Sequence, residues 1–173
     1  MRWRFVDRID EVQLGEQIVG VKVAGMAEDY FADHFPGFPV VPGVIVIEAL
    51  AQLCGKLIEL SVYEDRGFWP WPILSMVNKA KFRKFIKPGD CITLKGKVLS
   101  IRDESAMLKV EAWVGDRRTT SAELTFVFQP EEVPNNDDVE VAERHEIKIL
   151  WPGYAEFMKT SRKTTGEPAT PDQ

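Results

Sequence analysis

The sequence predicts an α+β protein in which a curved antiparallel sheet wraps around one central helix. Two observations carry this. From Pro42 to the loop that begins at Tyr63, apolar residues occupy every face of a helical stretch rather than one stripe, so this helix must be surrounded by protein. After that loop, four segments alternate apolar and polar residues and are joined by short polar turns, the pattern of an antiparallel meander. With 173 residues, 45% of them hydrophobic, the chain is long enough for one well-buried core and short for two.

Taken in order, residues 4–12 suit a short strand or a lead-in, and residues 16–24 alternate as a strand does. Pro42 fits the first turn of the long helix, where a missing N–H costs nothing. Residues 63–72, YEDRGFWPWP, form a loop rich in aromatics and proline. Strands follow over 73–85, 91–101, 106–114 and 119–128, with turns at Lys87-Pro88-Gly89-Asp90, Arg102-Asp103-Glu104-Ser105 and Gly115-Asp116. These elements place the body of the protein at residues 1–129. Beyond it, residues 131–146 read as a solvated acidic linker, residues 151–159 as a short amphipathic helix presenting Trp151, Tyr154, Phe157 and Met158, and residues 164–173 as disordered. That much apolar surface is expected to dock residues 147–160 onto the body, with residues 130–146 as the tether.

The formal charge of −5 belongs to this tail. Residues 130–146 hold seven acidic side chains against Arg144, and residues 1–129 balance to zero, so net charge points to no nucleic-acid partner. Cys54 and Cys91 make no CxxC pair and no disulfide framework, which favours a reducing cytoplasm. The N-terminus lacks the apolar stretch of a signal peptide, and Pro42, Glu48, Lys56 and Glu59 interrupt the central apolar run, so no membrane span is expected. There is no Gly-rich phosphate loop, no GxSxG elbow and no metal-ligand spacing; His145 sits in HEIKI, which is not HExxH.

The chemistry concentrates in residues 34–52, HFPGFPVVPGVIVIEALAQ. Glu48 is the only charged residue between Val40 and Gly55, and burial without a cationic partner would raise its pKa towards the range of a general acid. His34 would supply the matching base. The Pro42-Gly43 helix start offers backbone N–H groups without intrahelical partners, at the positive end of the helix dipole, where an oxyanion is stabilised. Gly43 would let a ligand approach that backbone closely. Gln52, one turn beyond Glu48, shares its face and its amide would orient the carboxyl. These parts fit elimination beside a carbonyl: His34 takes the α proton, the Gly43 amide holds the enolate oxygen, and Glu48 protonates a leaving hydroxyl.

His34-Phe35-Pro36-Gly37-Phe38-Pro39-Val40-Val41-Pro42-Gly43-Val44, followed by Glu48-Ala49-Leu50-Ala51-Gln52, closely resembles the signature HFPGxPxxPGV…ExxAQ of the 3-hydroxyacyl-acyl-carrier-protein dehydratases of the hot-dog fold, the FabZ type. Weaker similarity extends over residues 5–128 and includes AKFRKFIKPGD at residues 80–90. The resemblance implies dehydration of 3-hydroxyacyl carrier thioesters to trans-2-enoyl thioesters in fatty-acid or related acyl-chain synthesis, without metal or organic cofactor. It implies a homodimer, with a trimer of dimers as the larger alternative, whose sites each pair His34 of one subunit with Glu48 of the other. Gly43, Val44 and Gln52 would hold and orient the reacting groups. An acyl tunnel would run beside the central helix, with Phe35, Phe68, Trp69 and Trp71 at its wall or gate. Lys81, Arg83, Lys84 and Lys87 would form the rim that meets an acidic acyl carrier protein. Glutamate at position 48, where isomerising FabA-type relatives carry aspartate, points to plain dehydration. Relative to that pattern the chain starts at the family's VDR segment, so one side of the tunnel is expected to be open or covered differently. Phe85 stands where the family has proline. Two rivals share the fold: an acyl thioesterase, against which the HFPG histidine argues, and a carrier-binding subunit without turnover.

Overall fold

The computed structural model describes residues 3–128 and 137–165. Two strands open the chain, β1 (Arg8–Gln13) and β2 (Gln17–Val23), and a single 3-10 turn at Asp29–Phe31 leads to helix α1 (Gly43–Arg66). Strands β3 (Pro72–Phe82), β4 (Cys91–Ile101), β5 (Ser105–Val114) and β6 (Arg117–Phe128) follow, all antiparallel to their neighbours in one sheet of order β1-β2-β4-β5-β6-β3. This is the α+β arrangement expected, with α1 packed across the inner face of the sheet.

The inner face follows from period two. Ala106, Leu108, Val110 and Ala112 of β5 are buried, as are Ala122, Leu124, Phe126 and Phe128 of β6, while the residues between them face outwards. On α1, sixteen of 24 residues are buried, and these include Lys56 and Glu59, so the helix also buries polar groups that need partners. Helix and sheet meet closely: a Cβ placed on Gly96 of β4 would lie 2.6 Å from Cys54 Sγ. A small side chain opposite a glycine thus sets the spacing between the layers. Emptying this core, as by Leu50→Ala, removes a side chain with no exposed surface and costs about 2–5 kcal/mol. Gly67, at φ 73°, ends α1 by donating its N–H to Tyr63 O at 2.9 Å.

The tail differs from its sequence reading. Residues 130–136 of the expected tether and residues 166–173 lie outside the described residues. The acidic stretch from residue 137 is helix: α2 spans Asp137–Leu150, and α3 (Tyr154–Thr165) is longer than the short helix expected at residues 151–159. Ile147 and Tyr154 bury against Leu60 and Trp69, forming a second apolar cluster over the outer end of α1. Arg144 fixes the attachment. Its guanidinium lies 4.4 Å from the Tyr63 ring centroid and 4.6 Å from that of Trp69, and Glu140, one turn back, binds it at 2.6 Å.

Candidate active site

Each part of the site comes from a different local cause. The His34 loop is a tight turn closed on itself: Phe35 and Phe38 exchange backbone hydrogen bonds at 3.0 and 2.9 Å, and Val40 N–H donates to His34 O at 2.9 Å. His34 Nδ1 lies 3.1 Å from Val40 O, and the ring stacks on Phe35 with centroids 4.1 Å apart. A carbonyl only accepts, so Nδ1 carries the proton in that bond and Nε2 keeps the lone pair a base requires. Phe35 is half exposed and packs on the histidine rather than in the core.

Pro42 is the N-cap of α1, and its carbonyl accepts from Ile45 and Val46 at 3.0 and 3.3 Å. Gly43 and Val44 N–H precede these bonds and lie in the first turn, where no intrahelical acceptor exists. The close approach at Gly43 is intramolecular: the Phe82 ring of β3 fills the space where a Cβ would stand, 2.7 Å from it. A larger residue at Gly43 would have to displace this ring.

One and a half turns on, Glu48 is half-buried and its Oε1 accepts from Gln52 Nε2 at 2.8 Å and from Trp3 Nε1 at 3.2 Å. Gln52 also accepts from Phe5 N–H at 2.8 Å and donates to Trp3 O at 3.2 Å. The amide thus ties the carboxyl and the N-terminal segment together. Trp3 went unnoticed in the sequence, because nothing local links position 3 to position 48.

Glu48 and Gln52 line a cavity of about 350 Å³. Its walls include Trp3, Trp71, Leu74 and Phe126, and its far end carries Lys56, Glu59, Glu143 and Glu146. His34 does not line it. Of the expected gate residues only Trp71 does. Trp69 is buried beneath α2 and α3, beside Tyr63, and Phe68 is exposed past the end of α1, so neither lines this cavity. Among the described residues no group of His, Cys, Asp and Glu could hold a metal ion.

The basic run lies beside the His34 loop. Phe38 packs edge-on against Phe85 with centroids 5.4 Å apart, Lys87 Nζ is 5.9 Å from the Phe38 ring, and Val41 N–H donates to Ile86 O at 2.8 Å. Phe85, where a proline was expected, thus serves as a contact for the loop. Lys81, Arg83, Lys84 and Lys87 are exposed, and Arg83 Nη1 donates to Ser121 Oγ at 2.8 Å.

A six-stranded antiparallel sheet around one long helix, with an acid and an amide on that helix and a histidine in the loop before it, defines an enzyme-like member of the hot-dog class. The chain resembles chain structures of the dehydratase heterocomplex ApeI:P from Xenorhabdus doucetiae (TM-score 0.61, 12% identity, covering 81% of this chain and 90% of that one) and of a hypothetical thioesterase with coenzyme A from Streptococcus pneumoniae (TM-score 0.54, 14% identity, 70% and 86%), likenesses of fold alone. Residues 1–123 match the FabA-like domain family. Relatives include 3-hydroxyacyl-[acyl-carrier-protein] dehydratases FabZ of Lactobacillus helveticus, 41% identical over 124 residues (71% of this chain, 81% of the relative), and of Clostridioides difficile, 34% identical over 123 residues (71% and 84%). The chain belongs to this FabA-like family and within it to the FabZ type.

Proposed function

We propose that the protein dehydrates 3-hydroxyacyl groups carried on acyl carrier protein to the trans-2-enoyl thioesters, as a step of fatty-acid or related acyl-chain synthesis. His34 Nε2 removes the proton at C2, the N–H groups of Gly43 and Val44 hold the developing enolate oxygen, and Glu48 gives its proton to the hydroxyl at C3. The C2–H and C3–O bonds break, C2=C3 forms and water leaves; the imidazolium proton then returns to the carboxylate through solvent. Gln52 and Trp3 orient Glu48, and Trp71 lies against the acyl chain.

The observation that carries this reading is the Glu48 carboxyl, held by two N–H donors at the wall of a cavity that contains no histidine. A second copy of the chain would supply His34, giving a homodimer with shared sites. The exposed Val44, Met76, Val77, Phe82 and Phe85, beside the unpaired outer edge of β3, support such an interface. The basic side chains at 81–87, next to the His34 loop, would receive an acidic carrier. A cytoplasmic enzyme suits two free cysteines, and no helix among the described residues is long and apolar enough to cross a membrane.

The test is to incubate the protein with 3-hydroxyacyl carrier thioesters and follow the acyl group by mass spectrometry. Loss of one water supports dehydration. Release of free acid would instead mean a thioesterase, and binding with no product a carrier-binding subunit.

A further inference from the structure

The cavity beside Glu48 ends in charge. Lys56 lies eight residues beyond Glu48 on the same helix, roughly 12 Å along its axis. Its side chain is nearly buried, and α2 brings two carboxylates to it: Glu143 in direct contact and Glu146 at 3.2 Å. Arg4 reaches Glu146 at 3.6 Å from the other side. Glu59, one turn further along α1, is 4% exposed, stands 3.9 Å from Lys56 Nζ, and its Oε2 has no hydrogen-bond donor among the described residues. Lys56, Glu59, Glu143 and Glu146 all line the same cavity as the carboxyl that would deliver the proton.

We infer that this ionic floor, built jointly by α1 and the tail helix α2, makes the enzyme selective for short 3-hydroxyacyl groups by refusing the apolar end of a long chain. The inference rests on the dehydratase reading and narrows its substrate class. With C3 at Glu48, a short acyl chain ends among Trp71, Leu74 and Phe126. A long one must push methylenes between Lys56 and its partly buried carboxylates, separating the ion pairs and leaving the nearly buried ammonium without partners, a costly fate for such a charge. Glu59 adds to this barrier as a buried polar group to which methylenes offer no hydrogen bond.

The experiment measures kcat/KM for butanoyl, hexanoyl, octanoyl, dodecanoyl and hexadecanoyl members of the 3-hydroxyacyl carrier series. The intact protein should lose about 10–100-fold between the octanoyl and dodecanoyl substrates. The variant Lys56→Met/Glu59→Leu/Glu143→Met/Glu146→Met replaces the whole cluster by apolar groups of similar volume, an exchange buried ionic clusters tolerate. Its ratio of kcat/KM for the dodecanoyl over the butanoyl substrate should rise by about the 10–100-fold that the intact protein loses. Equal turnover of short and long substrates by the intact protein would overturn the inference and leave the dehydratase reading standing. A folded variant that keeps the length cut-off unchanged would overturn it too. No dehydration at any length would remove the dehydratase reading and the inference together. The profile of the intact protein decides the matter even if the variant does not fold.

Discussion

Glu59 gives the sharpest test of how the central helix is balanced. Burial pushes its carboxyl from the ordinary 4.5 up to about 7, with the Glu146 carboxylate adding to the rise and the Lys56 ammonium opposing it. Native Glu59 therefore holds its proton to about pH 7, whereas the unfolded carboxyl releases it near 4.5. Between these values the native state binds more protons than the unfolded one, so stability falls as pH rises. Below 4.5 both states are protonated and there is no penalty; above 7 the penalty is complete. At about 1.4 kcal/mol per pKa unit it reaches about 3 kcal/mol. Glu59→Gln keeps the volume and removes the charge, so the variant should gain on the parent as pH rises. Guanidinium unfolding at about pH 5.5 and about pH 8 should show the stability difference, variant minus parent, growing by about 2 kcal/mol, or roughly 4–8 °C in Tm. A difference that stays constant with pH would mean that Glu59 ionises in the folded protein as easily as in water, and the account of its burial would fall.

His34→Ala and Glu48→Gln should each lower turnover by about 100–10,000-fold with the fold intact, and near-normal dehydration by either would sink the mechanism. Mixing the two inactive chains should restore activity if the groups come from different subunits; no recovery in verified mixed dimers places both in one chain. Reversing Lys81, Arg83 and Lys84 to Glu should raise KM for carrier-bound substrate in a salt-dependent way and spare a pantetheine surrogate, whereas equal loss on both would exclude a docking role. Trp3→Phe removes one of two donors to Glu48 and should lower kcat by about 2–10-fold with the folded state unchanged by circular dichroism. Arg144→Ala should speed amide exchange across residues 137–150 and leave residues 106–128 protected, because the guanidinium between Tyr63 and Trp69 anchors α2; uniform protection would place the anchor elsewhere.

The strands were legible because period two is a local signal: the spacing of Leu108, Val110 and Ala112 alone assigns a buried face. The Glu48–Gln52 hydrogen bond could be anticipated from helical spacing, and the His34 loop from its glycine and prolines. What escaped were partnerships across long stretches of chain. The stretch from Asp137 to Glu146 is acidic and reads as solvated, yet it is helix because Ile147 and Leu150 bury apolar surface and because Glu143 meets Lys56, 87 residues away. The family resemblance puts Trp69 in a gate region, and no local signal shows that Arg144, 75 residues away, packs over its ring. The ring beside Gly43 is a further case, since it arrives from position 82.

The joint between α1 and α2 also constrains how the protein is made. Synthesis runs from the N-terminus towards the C-terminus, and domains tend to fold as they emerge from the ribosome. When β6 is complete the sheet can close around α1, but the carboxylates of Glu143 and Glu146 have not yet been added. For that interval Lys56 and Glu59 have only each other, and Leu60 and Trp69 have no cover. The nascent body carries its weakest point on the wall of its own substrate cavity until the last two helices arrive, so a ribosome stalled within α2 would leave a dehydratase core whose cavity opens to water at the end meant to be closed.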